Sequence, residues 1–258
     1  MEKPDFYIEN ILSGQRASGL IKWPSCAKGE PEDMRAIYRH SALVPEQTHS
    51  LNVAVVNNPW DSFKDTDALV TFEEDLPIGI LTADCVPILV YAPDITGVAA
   101  IHAGWKGTLG GIVDKALDVL EKHGASTEEM IVSFGPSILQ ENYEVDREMG
   151  ERFSDAGFQE YVSWSDGSDG KPHIDLQGIN MERLMHRGVK KENIRLSALC
   201  TSATRDKEGN PVFPSYRRDG DLAKRMLTSI MILSESEMKH YEKLFKRANE
   251  VVDEKESE

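Results

Sequence analysis

The sequence has few cysteines, few basic residues and no long apolar run. Its three cysteines, Cys26, Cys85 and Cys200, are odd in number and widely spaced, unlike the disulfide framework of a small secreted protein. No segment reaches the roughly 18 to 20 apolar residues that a membrane-spanning helix needs, and no apolar stretch follows positive charge at the N-terminus. Only 29 Lys and Arg stand against 44 Asp and Glu, giving a net charge of -15. These absences predict a cytoplasmic protein that binds neither membranes nor nucleic acid.

The length of 258 residues fits one domain. A domain of this size buries roughly 70 to 75% of the surface that its unfolded chain exposes, so it needs neither disulfides nor a structural metal to fold. Any metal site is therefore free to be catalytic. The net negative charge repels anionic substrates at long range, so a phosphate site would need local Arg or Lys side chains.

Apolar periodicity in the centre of the chain predicts alternating strands and helices, the pattern of an α/β layer. The strongest helix signal is a set of apolar residues that share one face: Ile112, Val113, Ala116, Leu117 and Leu120. We predict strands within 51–56, 67–72, 77–92, 98–103 and 130–134 and helices within 112–125, 145–153 and 174–188. Further on, 194–200 is expected to be a strand, 212–220 a strand or loop, and 222–233 a helix or strand.

The C-terminal segment 235–258 carries an apolar stripe at alternating spacings of three and four residues, which is typical of an amphipathic helix. The stripe consists of Met238, Tyr241, Phe245, Ala248 and Val252. It either docks on the parent domain or forms a homodimer contact. The acidic residues at the end are expected to form a frayed tail.

Three side chains in the centre form a candidate catalytic metal site. Cys85 follows a polar interruption between two apolar runs, and His102 ends the next strand before a Gly-rich loop, so neighbouring strands can present both side chains at one edge. With His49 they form a set of one thiolate and two imidazoles, which leaves a fourth zinc position for water or substrate. Their separations match no local zinc-finger spacing, and a lone cysteine in an apolar run, such as Cys85, is more often a small core residue.

Five motifs give the chain a family resemblance. They are EQTHS, TADCVPIL, IHAGWKGT, FGPSI and YRRDG, in that order, and the resemblance covers roughly residues 45 to 233. In order and separation they resemble the laccase-domain family, also called multicopper polyphenol oxidase-like and peptidoglycan editing factor. The resemblance implies an α/β (α+β) fold, with layered mixed β-sheets and flanking helices in a single domain over 1–234, of which 1–44 is divergent. It also implies Zn²⁺ held by His49, Cys85 and His102, with copper as the alternative metal.

The activities implied by the resemblance are purine nucleoside phosphorolysis, adenosine deamination and cleavage of methylthioadenosine, so the expected partners are purine nucleosides and phosphate. Zinc with these ligands would lower the pKa of water to about 7 for attack on adenine. We assign Asp84 to proton transfer or to orienting a histidine ligand, with capping of the strand end as the alternative.

Phosphorolysis needs fixed cations beside the ribose. Arg217 and Arg218 can contact phosphate through two nitrogens each, and Lys106 adds a third cation in a loop that opens a helix. Each arginine could instead form a surface ion pair with Asp219 or Asp221.

The chain departs from the family pattern at three places. Lys106 stands where most members have Arg, and a family Thr-Gly-Arg is Ala223-Lys224-Arg225 here. The N-terminal Arg-x-Gly-Gly motif is approached only by Arg16-Ala17-Ser18-Gly19. These departures leave the choice of substrate less determined than the metal site.

Other functions compete with the purine enzyme. One is an amidase that edits a peptidoglycan precursor. Another is a copper-dependent polyphenol oxidase, which is the least favoured because it needs several His-rich copper sites and the whole chain has only seven histidines. A third is a zinc-stabilised binding module without catalysis, which would be unfolded without metal.

Overall fold

The computed structural model describes residues 6–10, 17–24, 42–164 and 170–236. The strands are β1 (Phe6–Asn10), β2 (Ala17–Pro24), β3 (Val53–Val56), β4 (Ala68–Thr71), β5 (Ile78–Thr82), β6 (Val86–Ala92), β7 (Gly97–Ala103), β8 (Ile131–Phe134), β9 (Val162–Trp164), β10 (Pro172–Ile174), β11 (Ile194–Arg195) and β12 (Met226–Ile232). The α-helices are α1 (Trp105–Gly110), α2 (Ile112–Lys122), α3 (Arg147–Phe153), α4 (Leu176–His186) and α5 (Tyr216–Asp219). Single turns of 3₁₀-helix lie at Thr127–Glu129, Gln140–Asn142, Gln159–Tyr161, Lys191–Asn193 and Gly220–Leu222, and a π-helical turn at Ser154–Phe158.

The strands form two main sheets. A six-stranded mixed sheet has the order β11-β8-β6-β7-β4-β3, with parallel pairs at both edges and antiparallel pairs in the middle. A four-stranded antiparallel sheet has the order β1-β2-β12-β5, and β9 pairs with β10 in a separate hairpin. This architecture confirms the predicted α/β class with layered mixed sheets.

The six-stranded sheet is the middle layer of the described fold. One face packs against α2 and α4, and Ile88 and Val90 belong to the same buried cluster as Leu117, Leu120 and apolar side chains of α4. The opposite face of β6, carrying Leu89 and Tyr91, packs against β5 and β12 of the other sheet. Because both faces of β6 and β7 are covered, their sequences are continuous apolar runs and show no alternation.

The predicted loop after His102 is a helix. Residues 104–111 were expected to form a Gly-rich loop, but Trp105–Gly110 is the helix α1, which ends at Gly111 with φ +78°. A left-handed residue stops one helix, and α2 starts directly after it. The five predicted apolar residues of α2 are all buried.

The later part of the chain is more irregular than its pattern indicated. The predicted strand 194–200 is reduced to Ile194–Arg195, followed by an isolated bridge from Cys200 to Ser137. Within 212–220 the structure has the short helix α5, whose first turn is capped by the Ser215 hydroxyl accepting from the N–H of Arg218 at 3.2 Å. Segment 222–233 contains a strand, β12.

The predicted C-terminal amphipathic stripe and Arg16 of the imperfect N-terminal motif lie outside the described residues. Among the residues that are described, there is no helix with the length and hydrophobicity of a membrane span.

Candidate metal centre and its cavity

The three predicted ligands come together at one end of the two central strands. Cys85 directly precedes β6, and His102 lies near the end of β7, opposite Pro87 in the antiparallel ladder. The side-chain donor atoms of His49, Cys85 and His102 all lie within 4.8 Å of one another. In the described part of the chain, this is the one group of His, Cys, Asp and Glu side chains with the arrangement of a metal site.

His49 reaches this position from a loop that is anchored to β5. The Gln47 side chain donates to the carbonyl of Leu81 and accepts from its N–H, both at 2.8 Å, so it pairs with the main chain as a strand residue would. His49 itself has φ +63°, a left-handed conformation that is uncommon for a residue with a side chain. The loop is therefore held in a specific conformation that turns His49 toward the other two ligands.

The separation of two of the donor atoms suits a shared metal ion. The Cys85 Sγ and His49 Nε2 atoms are 3.8 Å apart. Tetrahedral ligands at the usual zinc distances of about 2.3 Å for sulfur and about 2.0 Å for nitrogen lie about 3.6 Å apart. Gly104 leaves the necessary room, because a Cβ atom there would lie 2.8 Å from His49 Cδ2 and 3.1 Å from Cys85 Sγ. Gly104 has φ -71° and ψ 179°, so space and not backbone conformation favours glycine.

The electrostatics favour the ligand form of the thiol. Burial raises the pKa of Cys85, but the adjacent imidazoles of His102 and His49 outweigh burial and lower it from 9.0 to about 6. Burial lowers the pKa of His102, but the Cys85 thiolate and the Asp67 carboxylate outweigh burial and raise it to about 9. The thiolate is the form of cysteine that binds metals.

Asp67 contacts the metal centre and was missed in the sequence. Its Oδ1 accepts from His102 Nδ1 at 2.7 Å, and the carboxylate is fully buried. Burial alone would raise the pKa of Asp67, but its hydrogen bonds with His102 and Ser50 lower it to about 2. The sequence shows only an Asp directly before an apolar strand. Such an Asp looks the same in the sequence whether it is buried or faces solvent at the end of the strand. Asp84 was expected to orient a histidine ligand, but the carboxylate that contacts a histidine here is that of Asp67.

The metal centre lies in a cavity of about 850 Å³. Small-molecule sites usually measure about 300 to 1,000 Å³. The wall combines the three ligands with aromatic, aliphatic and charged side chains. It is formed by Gln47, His49, Leu81, Thr82, Ala83, Asp84, Cys85, His102, Trp105, Ile138, Tyr143, Leu176, Tyr216, Arg217, Asp221, Ala223 and Arg225.

Two arginines line this cavity, and only one of them was predicted as a phosphate ligand. The Arg217 guanidinium donates to the main-chain carbonyls of Asn142 at 3.4 Å and Glu144 at 2.7 Å. Arg225 donates to the carbonyls of Ala223 and Lys224. Both guanidinium groups therefore contact neutral acceptors, and their positive charge is not matched by a carboxylate at salt-bridge distance among the described residues.

The other two predicted cations lie elsewhere. Arg218 forms an ion pair with Asp219, with Nη2 to Oδ2 at 2.6 Å, as the alternative interpretation of this residue predicted. Lys106 is exposed and places its Nζ 5.6 Å from the centre of the Trp105 ring. Neither side chain contributes to the wall of the cavity.

Asp84 lies in the cavity wall but is bonded to the protein around it. It has φ +81°, in the tight connection between β5 and β6. Its Oδ1 accepts from the Thr201 hydroxyl at 2.5 Å, and its Oδ2 accepts from the Ser215 hydroxyl at 3.1 Å and the Arg217 N–H at 2.6 Å. This carboxylate joins the β5–β6 connection to the start of α5, which carries Arg217.

Tyr143 is a second residue of the cavity that the sequence did not reveal. The Arg217 guanidinium carbon lies 5.5 Å from the centre of its ring, within the range of a cation–π contact. Burial, together with the charge of Cys85, raises the pKa of Tyr143, so its hydroxyl stays protonated at neutral pH. The ring is a flat apolar surface, and Arg217 is held beside it.

Comparison with known proteins places this site in a family. The family model described as multi-copper polyphenol oxidoreductase laccase matches residues 32–233. The purine nucleoside phosphorylase of Bacteroides thetaiotaomicron is 36% identical over 201 residues, covering 74% of this chain and 73% of its own. Adenosine deaminase RL5, from an unknown prokaryotic organism, is 34% identical over 198 residues, covering 73% of this chain and 74% of its own.

Solved structures have the same fold. The Bacillus licheniformis hypothetical protein YfiH superposes with a TM-score of 0.74 at 23% identity, over 90% of this chain and the whole of that one. A Neisseria meningitidis protein superposes with a TM-score of 0.71 at 25% identity, over 89% of this chain and 100% of that one.

Proposed function

Because this chain belongs to the laccase-domain family, whose model is described as multi-copper polyphenol oxidoreductase laccase, we propose that it is a zinc enzyme acting on purine nucleosides. The proposed reactions are phosphorolysis of nucleosides, including methylthioadenosine, and deamination of adenosine. The names of the two relatives support this choice of reactions. The observation that carries it is the His49–Cys85–His102 cluster in the wall of a cavity that also presents Arg217 and Arg225.

Zinc is the metal that the donor set favours. One thiolate and two imidazoles are a three-ligand set of the kind found in catalytic zinc sites, which leaves a further position open. Bound zinc supplies Lewis-acid chemistry and lowers the pKa of water to about 7. Oxidation of phenols by several coppers would need several His-rich sites, and seven histidines in the sequence do not supply them.

Arg217 and Arg225 are proposed to bind phosphate. The protein carries a net charge of -15, so phosphate must be attracted by local cations whose charge is free to act. Both arginines reach the cavity and contact carbonyl oxygens on the protein side. A guanidinium group can offer two parallel N–H donors to a phosphate. This proposal replaces Arg218 and Lys106, whose side chains lie outside the cavity wall, with Arg225.

The aromatic side chains of the cavity are proposed to hold the purine. Trp105, Tyr143 and Tyr216 offer ring surfaces on which a base can stack. In phosphorolysis, a phosphate oxygen forms a bond to ribose C1′ while the bond to the purine nitrogen breaks, and the electron pair leaves with the purine, which takes up a proton. In deamination, water adds to C6 of adenine and ammonia leaves.

Asp84 is proposed to position Arg217. Its carboxylate accepts from the Arg217 N–H and from the Ser215 hydroxyl, so it fixes the start of α5 relative to the metal centre. Three donors already occupy the carboxylate, which favours positioning over the proton transfer suggested by its place in the sequence.

Product analysis tests the proposed function. Zinc-loaded protein is incubated with adenosine, with and without phosphate, and the products are separated by chromatography. Free base and ribose 1-phosphate are expected only with phosphate, whereas inosine is expected in both samples. Cys85→Ala should lose all products, and His186→Ala, which changes a histidine whose side chain is 77% exposed on α4, should keep them. No turnover by fully zinc-loaded wild-type protein would contradict the proposal and would favour the precursor-editing amidase.

A further inference from the structure

A single carboxylate, that of Asp67, is bonded to both histidines of the metal centre. Its Oδ1 accepts from His102 Nδ1 at 2.7 Å and from the His49 N–H at 3.0 Å. Its Oδ2 accepts from the Ser50 N–H at 2.6 Å, the Ser50 hydroxyl at 2.8 Å and the Thr48 N–H at 3.1 Å. Five donors from two separate segments of the chain therefore converge on one side chain.

The main chain of Asp67 strengthens the same connection. Asp67 directly precedes β4, which pairs with β7 so that Ala68 lies opposite Ile101. Its carbonyl oxygen accepts from the His102 N–H at 2.8 Å. His102 is thus bonded to Asp67 through both its ring and its backbone.

The loop carrying His49 depends on these bonds. Three consecutive N–H groups, of Thr48, His49 and Ser50, point at the carboxylate. Such convergence requires an unusual backbone conformation, and His49 has φ +63°. A left-handed conformation is unfavourable for an ordinary residue with a side chain. The three hydrogen bonds to the Asp67 carboxylate offset this cost.

We propose that Asp67 is the positioning residue that builds the metal centre, by fixing the His49 loop and the ring of His102 in their ligating arrangement. With its Nδ1–H donated to Asp67, His102 has Nε2 available as the metal ligand, as outer-shell carboxylates arrange in many metal sites. Asp67 contacts neither substrate nor metal in this role. The inference rests on the proposed function only in that the site holds a metal.

Because Asp67 is fully buried, replacing its carboxylate with an amide should disturb the hydrogen bonds around it. In Asp67→Asn, one carboxylate oxygen becomes an NH₂ group, a donor that faces the N–H donors of the loop or the Nδ1–H of His102. A buried donor facing a donor leaves both groups unsatisfied. The loop or the ring must then move, and the ligand set is distorted without removal of any ligand.

The segment before β4, which carries Asp67, also contains a residue for a matched control. Asp65 is exposed, accepts from the Thr48 hydroxyl and from Asn52 Nδ2, the latter at 2.9 Å, and has no hydrogen bond to either histidine. Asp65→Asn removes one negative charge from the same segment as Asp67→Asn does. It leaves the contacts of Asp67 with His49 and His102 in place.

The test compares metal binding in the wild type, Asp67→Asn and Asp65→Asn. Zinc affinity is measured by competition with a chromophoric chelator, and the site geometry by the absorption spectrum of the Co²⁺-loaded proteins. We expect Asp67→Asn to bind zinc about 10 to 100-fold more weakly, with an altered Co²⁺ spectrum. Asp65→Asn should resemble the wild type in both measurements. Wild-type affinity and an unchanged spectrum in Asp67→Asn would overturn the proposal.

A second measurement needs no variant and applies if Asp67→Asn does not fold. Nitrogen-15 NMR of the zinc-loaded wild-type protein reports which ring nitrogen of His102 carries the proton. The proposal requires a proton on Nδ1 and metal on Nε2, and the opposite arrangement would overturn it. No nucleoside enters either experiment, so absent turnover would contradict the proposed function without affecting this result.

Discussion

Arg217 and Arg218 are neighbours in sequence, yet the structure gives their guanidinium groups different surroundings. Arg217 lines the cavity and contacts carbonyl oxygens, whereas Arg218 is paired with Asp219. An arginine whose charge is already matched by a carboxylate attracts phosphate less than one bonded only to neutral groups. At the scale of single residues, the partner of each cation therefore decides its role.

This difference leads to a prediction on phosphate binding. Arg217→Ala should raise KM for phosphate about 10 to 100-fold, because a hydrogen bond to a charged group contributes about 1.5 to 3 kcal/mol. Deamination of adenosine, which uses no phosphate, should change far less. Steady-state kinetics with varied phosphate measure the first effect, and inosine formation measures the second.

The control for this variant is Arg205→Ala. Arg205 is exposed and lies outside the cavity wall, and its guanidinium group donates to the carbonyls of Ser202 and Thr204. An equal rise in KM for Arg205→Ala, or an unchanged KM for Arg217→Ala, would remove Arg217 from the phosphate site.

At the scale of elements, the connection between α1 and α2 sets the direction in which the chain leaves the metal centre. α1 starts at Trp105, three residues after His102, and Gly111 alone separates it from α2. α2 is held against α4 by Asp114, whose Oδ2 accepts from Arg183 Nη1 at 2.7 Å. The left-handed glycine therefore determines how the helical layer meets the strand that carries His102.

Replacing this glycine should destabilise the fold. Gly111→Ala is expected to cost roughly 1 to 2 kcal/mol for the left-handed conformation. A Cβ atom there would also lie 2.7 Å from Asp114 Oδ2. Thermal unfolding should show a lower Tm, by about 2 to 8 °C for a protein of this size.

Gly110→Ala is the matched variant one residue earlier. Gly110 belongs to α1 and has no positive φ, and its added methyl group would meet the side chain of the exposed Leu51. Because alanine favours a helix over glycine by about 1 kcal/mol, this variant should lose little stability or gain some. Equal Tm values for Gly111→Ala and Gly110→Ala would show that the left-handed conformation at position 111 does not require glycine for stability.

At the scale of the whole molecule, the three proposed metal ligands lie outside the two main apolar clusters, although His102 is itself buried. The described structure has two large buried clusters, one on each face of the six-stranded sheet, and they consist of aliphatic and aromatic side chains. His49 is exposed and Cys85 half-buried at one end of that sheet. The core is thus built without the metal, unlike that of a small zinc-stabilised domain.

Removing the metal should therefore leave the protein folded. After chelation, the far-ultraviolet circular dichroism spectrum and a cooperative thermal transition should be retained. Zinc added back at about 100 times its Kd should raise Tm by about 5 to 10 °C, since binding at that excess contributes about 2.7 kcal/mol.

Cys85→Ser is the control for this experiment, and the zinc-dependent rise in Tm should be much smaller in it. Collapse of the secondary structure after chelation would contradict the prediction. It would favour the zinc-stabilised binding module over the enzyme.

Elements with a strong periodic pattern could be predicted from the sequence alone. The apolar face of α2 and the continuous apolar runs of β6 and β7 were predicted because burial imposes a spacing that is visible locally. The candidate ligands His49, Cys85 and His102 could be named because their motifs are specific, and the structure brings the three side chains together. The cytoplasmic location, the C-terminal helix and the homodimer contact stay predictions from the sequence.

Which polar groups lie together depends on how distant segments of the chain fold against one another. Asp67 is 35 residues from His102 in the chain, and antiparallel pairing of β4 with β7 makes them neighbours. Likewise, Asp84 meets the Arg217 N–H across 133 residues, and Arg225 lines the cavity that Arg218 does not. Periodicity reports burial along one element, whereas a hydrogen bond between distant segments depends on strand order and register, which a local pattern does not contain.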